Sequence, residues 1–271
     1  MSIDHLRSHW GFTRTPFTRE LAPSMLFQSK GHAEAVARIS WLVSERALGI
    51  VTGEVGSGKS VAARVAVSGL DTSRHSVVYL ANPAVGTRGM YAEIVSALGG
   101  VPRYQKAALI AQAASLLAQQ EDELGRRVLV VFDEAHLLEA TQLEEIRLLL
   151  AADMDSRAAF GCLLLGQPTL RRRIRLGTHA ALNQRIALRY SIEGMDAEET
   201  TGYIAHHLKL AGRSDTIFSS DAVSLVHQVS RGLPRAVNNL ATQALVAAYT
   251  KGKSTVDESS ARMAAAEMDG E

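Results

Sequence analysis

The chain has 271 residues, 46% of them hydrophobic, and a formal net charge of only +1. That length holds one large or two modest domains with a substantial core. No stretch approaches the roughly 18 uncharged apolar residues of a membrane span, and the near-neutral balance does not by itself announce a nucleic-acid binder. The opening MSIDHLRSHWGF places Asp4, His5, Arg7 and His9 where a secretory leader needs an apolar run. Cys162, the one cysteine, sits inside the apolar GCLLLG; this excludes an intramolecular disulfide and fits a packing role in a reducing, cytoplasmic setting.

Residues 1–28 carry scattered aromatics (Trp10, Phe12, Phe17, Phe27) and two prolines, so an ordered, extended arm rather than a helix is expected there. The spacing of Ala33, Val36, Ala37, Ile39, Trp41 and Leu42 predicts a helix over 31–46. A short apolar strand, 49–52, then runs into a glycine-rich loop and a helix over 59–69. SVVYLAN (76–82) reads as a second strand, followed by the connection PAVGTRGM (83–90) with Arg88 at its tip, and by helices near 89–98 and 105–121. RVLVVFDEAH (127–136) is a third strand, a charged amphipathic helix covers 141–153, and AFGCLLLGQ (159–167) is a fourth strand. A short helix, 168–176, the segment LNQRI and an edge strand, ALRYSIEG (187–194), follow. Beyond this only helices are expected: 196–211, 219–230, 234–250 and 256–268. Alternating helices and continuous apolar strands imply an α/β fold, a parallel sheet flanked by helices on both faces. The expected divisions are an N-terminal arm, 1–28, an α/β nucleotide-binding domain, 29–194, and a small all-helical lid domain, 195–271.

Gly53 to Ser60, GEVGSGKS, match the phosphate-binding P-loop pattern G-x-x-x-x-G-K-[ST]. Gly53, Gly56 and Gly58 permit backbone angles that side chains forbid, so successive N–H groups of Glu54, Val55, Ser57 and their neighbours can turn inward on phosphates. Lys59 supplies a compact positive charge for the β- and γ-phosphates of ATP. Ser60 offers a hydroxyl to Mg²⁺, and the helix opening with Lys59, Ser60 and Val61 aims its positive end at the nucleotide. The apolar Val128–Phe132 run ends in Asp133 and Glu134, the Walker B pattern. Acidic residues at the end of a buried strand are costly without a cation or ligand. Asp133 is expected to hold Mg²⁺ and Glu134 to polarise the attacking water. Gln167, closing the next strand, is placed to bond the γ-phosphate or that water; otherwise it is a turn amide bonding its own backbone.

Between Asp155 and Glu193 there is no other acidic residue but seven arginines: Arg157, Arg171, Arg172, Arg173, Arg175, Arg185 and Arg189. Such a run is usually a solvated face; beside a nucleotide-binding core it is also a candidate for phosphate recognition or, at 171–175, for a subunit interface. The histidine pairs His5/His9 and His206/His207 lack acidic or cysteine companions and read as helix surface or core rather than metal ligands.

With GEVGSGKS, VLVVFDEAH, Gln167, Asn183-Gln184-Arg185-Ile186 and Gly232-Leu233-Pro234-Arg235, the sequence resembles the AAA+ ATPases. The resemblance implies a P-loop AAA+ fold, Arg185 as an arginine finger reaching a neighbouring subunit's nucleotide, with Arg189 as its competitor, and Arg235 as a lid arginine contacting the nucleotide of its own chain. A narrower likeness spans nearly the whole chain. Pro16-Phe17, Leu26-Phe27, His32 with Glu34-Ala35, DEAHLL, LLLGQPTLRRR, NQRI and RGLPRAVNNL look like the ExeA/GspA-type ATPases, a group that includes the TniB- and MuB-like helpers of DDE transposases. In that likeness the Phe27–Glu34 region packs near the adenine. Secretion members usually continue into a membrane span and a cell-wall-binding domain; the sequence ends at Glu271 with neither, which points to the transposition helpers.

The first expectation is therefore an ATP-dependent, Mg²⁺-requiring regulator of transposition. It would form a homo-oligomeric ring or helical filament on duplex DNA, with ATP at subunit interfaces, and would recruit a DDE-type transposase without membrane attachment. DNA contact would be through phosphates, with Arg88, Arg103 and Lys106 as candidates; Arg88 lies where related ATPases line a central pore. The alternative is a secretion or assembly ATPase acting on a protein partner. A metabolic P-loop kinase fits poorly, because Glu134 and the GLPR helix have no place in it. DEAH at 133–136 lacks the companion motifs of a helicase.

Overall fold

The computed structural model describes residues 3–18, 20–151 and 160–269. The chain forms two compact units, His32–Val55 with Lys59–Ile192, and Met1–Gly31 with Gly56–Gly58 and Glu193–Glu271.

The first unit is built on five strands: β1 (Leu48–Gly53), β2 (His75–Leu80), β3 (Arg127–Phe132), β4 (Gly161–Gly166) and β5 (Ile186–Ile192). They order as β2-β3-β4-β1-β5, every pair parallel. Side chains alternate across a strand, and here both faces are apolar. Ile50, Val78, Leu80, Val128, Val130, Phe132, Cys162 and Leu164 enter one core, whereas Val51, Leu129, Val131, Leu163 and Leu165 enter the other. This is why the central strands β3 and β4 read as unbroken apolar runs, whereas the edge strands β2 and β5 carry exposed positions. The helices of this unit are α2 (Lys30–Glu45), α3 (Lys59–Ser68), α4 (Gly86–Ala97), α5 (Lys106–Asp122), α6 (Ala140–Leu150), α7 (Pro168–Ile174) and α8 (Ala180–Arg185). Helices α2 and α3 cover the second core through Ala35, Ile39, Leu42, Ala62, Ala63 and Ala66; α4 to α8 cover the first through residues such as Ile94, Leu109, Leu143, Leu170 and Leu182. Cys162 is fully buried and burial pushes its thiol pKa far up, so it packs and does not react. The edge position expected for the fifth strand is observed.

The second unit contains α1 (Ile3–Trp10) and the helices α9 (Ala197–Leu210), α10 (Ser220–Ser230), α11 (Pro234–Thr250) and α12 (Glu258–Asp269). The extended arm expected for the N-terminus is corrected here, because residues Ile3–Trp10 are helical. Leu6 and Trp10, one helical turn apart, are buried in the same core as Tyr203, Leu240 and Ala244. Asp4 in the first turn and Arg7 and His9 in the last complement the helix dipole. The prolines that argued for extension lie beyond Gly11, which ends the helix at φ +65°. Residues after it stay with the C-terminal helices: the Thr13 N–H donates to the Ala211 carbonyl at 2.9 Å, and the Arg14 Nε–H to that of Leu210 at 2.8 Å. His207 is buried between Phe17 and Tyr203, where burial first, then the His206 and Arg14 charges, lower its pKa to about 4. It is a neutral core side chain. His206 contacts the Met25 carbonyl through Nε2 at 2.8 Å.

Two further differences from expectation concern connections. Arg88 is not at the tip of a loop but inside the first turn of α4, which starts three residues earlier than its apolar spacing suggests. The helix expected over 168–176 ends at Ile174 and a separate α8 precedes β5. Arg157 and the end of the helix expected over 141–153 lie outside the described residues.

Candidate nucleotide site

Parallel strands bring their C-terminal ends to one edge of a sheet, and β1, β3 and β4 bring the chemistry there. Thr52 pairs with Gly166, and Leu164 with Phe132. Asp133 therefore follows the strand one removed from β1, about 10 Å away at the usual interstrand spacing, and Gln167 emerges level with Gly53. Gly53, where the P-loop begins, and Asp133, Glu134 and Gln167 thus follow strand ends at this edge.

Within the loop, Gly56 and Gly58 adopt φ of +81° and +95°, angles that L side chains resist. Lys59 is buried, and its Nζ donates to the carbonyls of Gly53 and Glu54, each at 2.9 Å. The ammonium is thus folded under the loop. The Ser57 hydroxyl is buried with no hydrogen-bond partner. A buried orphan hydroxyl is costly unless a ligand completes it, and beside glycine-opened backbone a phosphate oxygen fits that need. Ser60, Glu54 and Val55 are exposed and Val61 is half-buried.

Asp133 is buried, its Oδ1 accepting the Glu134 N–H at 2.9 Å and its Oδ2 the Tyr79 hydroxyl at 2.6 Å. Burial and the Asp133 and Glu134 carboxylates drive the Tyr79 phenol pKa far up, so it remains a donor. Glu134 is left-handed, φ +49° and ψ +35°, a conformation costing about 1–2 kcal/mol in an L residue. The surroundings hold it there. Leu137 N–H donates to the Glu134 carbonyl at 2.9 Å, and Arg173 donates to the carbonyls of His136 at 2.8 Å and Leu138 at 2.5 Å. Gly166 permits the close approach, because a Cβ there would lie 3.1 Å from the His136 nitrogen. The result turns a half-exposed carboxylate outward, 3.2 Å from His136 Nδ1. Gln167 is the N-cap of α7 by position, and its side chain makes no capping bond to that helix.

Arg185 is the last residue of α8 and half-buried. Arg189 binds its own chain, donating to the Ile186 carbonyl at 2.7 Å and to Asn183 Oδ1 at 3.1 Å. In the second unit Arg235 is exposed near the start of α11, and its N–H donates to the Gly56 carbonyl at 3.3 Å. Phe27 packs edge-on against Tyr203 in that unit, centroids 5.7 Å apart, whereas Glu34 bonds Arg38 and the Tyr190 hydroxyl. Of the DNA candidates, Arg88 and Arg103 are exposed, and Lys106 forms an ion pair with Glu145 at 3.0 Å. Tyr79 and Arg173 were missed as site residues. Tyr79 had one signal, a polar tip in the strand beside the Walker B strand; Arg173 was hidden among its neighbouring arginines. Among the described residues no cluster of three His, Cys, Asp or Glu could hold a metal, and no helix is long and apolar enough to cross a membrane.

Comparisons with known proteins bear on the fold. Residues 42–174 match the AAA domain family. The general secretion pathway protein A of Aeromonas hydrophila is 30% identical over 268 residues, covering 96% of this chain but 48% of that protein, so the chain spans about half the relative's length. Among solved structures, Cdc6p of Pyrobaculum aerophilum superposes with a TM-score of 0.68 at 15% identity, over 89% of this chain and 67% of that one. The ORC1 protein of Aeropyrum pernix, in complex with DNA, gives 0.65 at 12% identity, over 93% and 68%. The parallel five-stranded sheet flanked by helices, with the C-terminal helices, gives the chain the AAA+ P-loop fold that these structures share, and residues 42–174 are the part that matches the AAA domain model.

Proposed function

We propose that the chain is a Mg²⁺-dependent ATPase that works as a homo-oligomer. The observation that carries this is the shared strand edge, where Gly53, at the start of the P-loop, comes level with Gln167 and with the end of the strand that Asp133 and Glu134 follow; the orphaned Ser57 hydroxyl marks the loop itself as made for a ligand. Bound Mg²⁺–ATP supplies the reactive phosphoanhydride and a hard cation. Lys59 neutralises phosphate charge, and the loop N–H groups cradle it. Ser60 and Asp133 are the residues to hold the cation; Mg²⁺ needs only one or two protein oxygens beside phosphates and water. The Glu134 carboxylate accepts the proton of the attacking water, and the Gln167 amide orients it. Arg185 completes a neighbour's site, its planar guanidinium meeting charge developing on the phosphoryl group. Arg235 contributes from the GLPR helix. Mixing Glu134→Gln with Arg185→Ala subunits is expected to restore part of the activity each lacks; no recovery at any ratio puts Arg185 in its own subunit's site.

Turnover is coupled, in the reading we put first, to assembly on duplex DNA and recruitment of a DDE-type transposase in the cytoplasm. The exposed Arg88 and Arg103 and the motif resemblance to transposition helpers support it, as does the fold shared with an ORC1 protein seen in complex with DNA. The second reading, action on a protein partner in secretion or assembly, is favoured by the likeness to the Aeromonas protein. Sedimentation with duplex DNA separates them. The DNA reading requires pelleting that depends on ATP or a slow analogue and weakens with salt. DNA that neither pellets the protein nor alters its ATPase rate at low salt leaves the protein-partner reading.

A further inference from the structure

The connection from α4 to α5, residues 98–105, carries the two most exposed large apolar side chains among the described residues, Val101 at 85% and Tyr104 at 87%. Exposed apolar residues scattered singly need no explanation, but these are held in place. The Gln112 side chain clamps the connection from α5: its Nε2 donates to the Val101 carbonyl at 2.9 Å, and its Oε1 accepts the Arg103 N–H at 3.0 Å. Gly100 N–H donates to the Val95 carbonyl at 2.9 Å. Arg88 reaches over from α4, donating through Nε to the Tyr104 carbonyl at 3.3 Å, with its guanidinium 5.6 Å from the ring centroid. Between residues 81 and 112 there is one acid, Glu93, against Arg88, Arg103 and Lys106. Lys106 is paired with Glu145 at 3.0 Å, which leaves Arg88 over the ring and the exposed Arg103 next to it in sequence; a braced, solvent-exposed tyrosine with a guanidinium at its ring has the chemistry of a base-stacking platform.

We infer that Tyr104, flanked by Val101 and braced by Arg88 and Gln112, is an aromatic wedge that stacks on a nucleic-acid base at an unstacked step. This rests on the DNA reading above and adds to it a contact with bases. Arg88 and Arg103 hold the adjacent phosphates, while the ring and Val101 enter where the stack opens. Fixing the loop in advance reduces the ordering cost of binding. Entry is easiest where the stack is already weak, as wedges into duplex DNA must offset unstacking.

The test uses the full chain with a slow ATP analogue and two fluorescent duplexes, one fully paired and one with a central mismatch, titrated at several salt concentrations. The expected result is that wild type binds the mismatched duplex about fivefold or more tightly, the scale of one base–aromatic stack. Tyr104→Ala is expected to lose that preference while keeping the salt slope; Tyr104→Phe is expected to retain it. Arg103→Ala should weaken both probes equally and reduce the salt slope by about one. Binding of both probes with no mismatch preference, or with one that survives Tyr104→Ala, overturns the wedge and leaves the DNA reading standing. Binding of neither probe by wild type removes the DNA reading, and the wedge with it.

Discussion

Glu134→Gln is expected to bind ATP as wild type does and to turn it over about 10²–10⁴-fold more slowly, the usual contribution of a general base. The substitution keeps the size and the left-handed backbone of Glu134, so the loss reports the missing proton acceptor rather than a collapsed turn. Its half-exposed position, beside His136 Nδ1 at 3.2 Å, means that no buried charge is stranded by the change. Because hydrolysis is what dissolves the proposed assembly, the variant should also accumulate in the DNA-bound form. Single-turnover phosphate release measured beside fluorescent-nucleotide binding separates the two effects. Equal losses of binding and turnover would give Glu134 a structural role instead.

Lys59→Ala is expected to abolish nucleotide binding at any practical concentration. The ammonium is buried and bridges the Gly53 and Glu54 carbonyls, so its removal both deletes the phosphate's counter-charge and leaves two loop acceptors without that donor. Charge-assisted hydrogen bonds are worth about 1.5–3 kcal/mol each, roughly ten- to a hundredfold in affinity per bond, and an ammonium that serves two phosphates makes more than one. Melting temperatures with and without ATP check it: wild type should be raised by ligand, and the variant should be indifferent while still melting cooperatively. A ligand-induced rise equal to that of wild type would place ATP elsewhere.

Much of this architecture was legible in the residues because parallel strands buried on both faces carry no polar interruptions. Val128–Phe132 and Gly161–Gly166 announce themselves as strands for that reason, and Gly56 and Gly58 state their backbone requirement; Gly53, expected to share it, instead ends β1 without a positive φ. What was not legible depends on partners far along the chain. Residues 3–10 form a helix because Leu6 and Trp10 find a core made by residues some 200 positions later, a contact no local pattern reveals. Arg88 belongs to a helix whose first turn, Gly-Thr-Arg-Gly, has poor helix propensity. The left-handed Glu134 is the same kind of case. Neither the Arg173 brace nor the space left by Gly166 could be read from DEAH itself.

The most direct measurement is phosphate release from ATP by purified wild-type protein, with Mg²⁺ present and with the metal chelated, in the presence and absence of duplex DNA. The expected result is turnover with Mg²⁺ and none without it. Wild-type protein that neither binds nor hydrolyses ATP under any of these conditions would contradict the assignment of the loop, Asp133 and Glu134 to one nucleotide site.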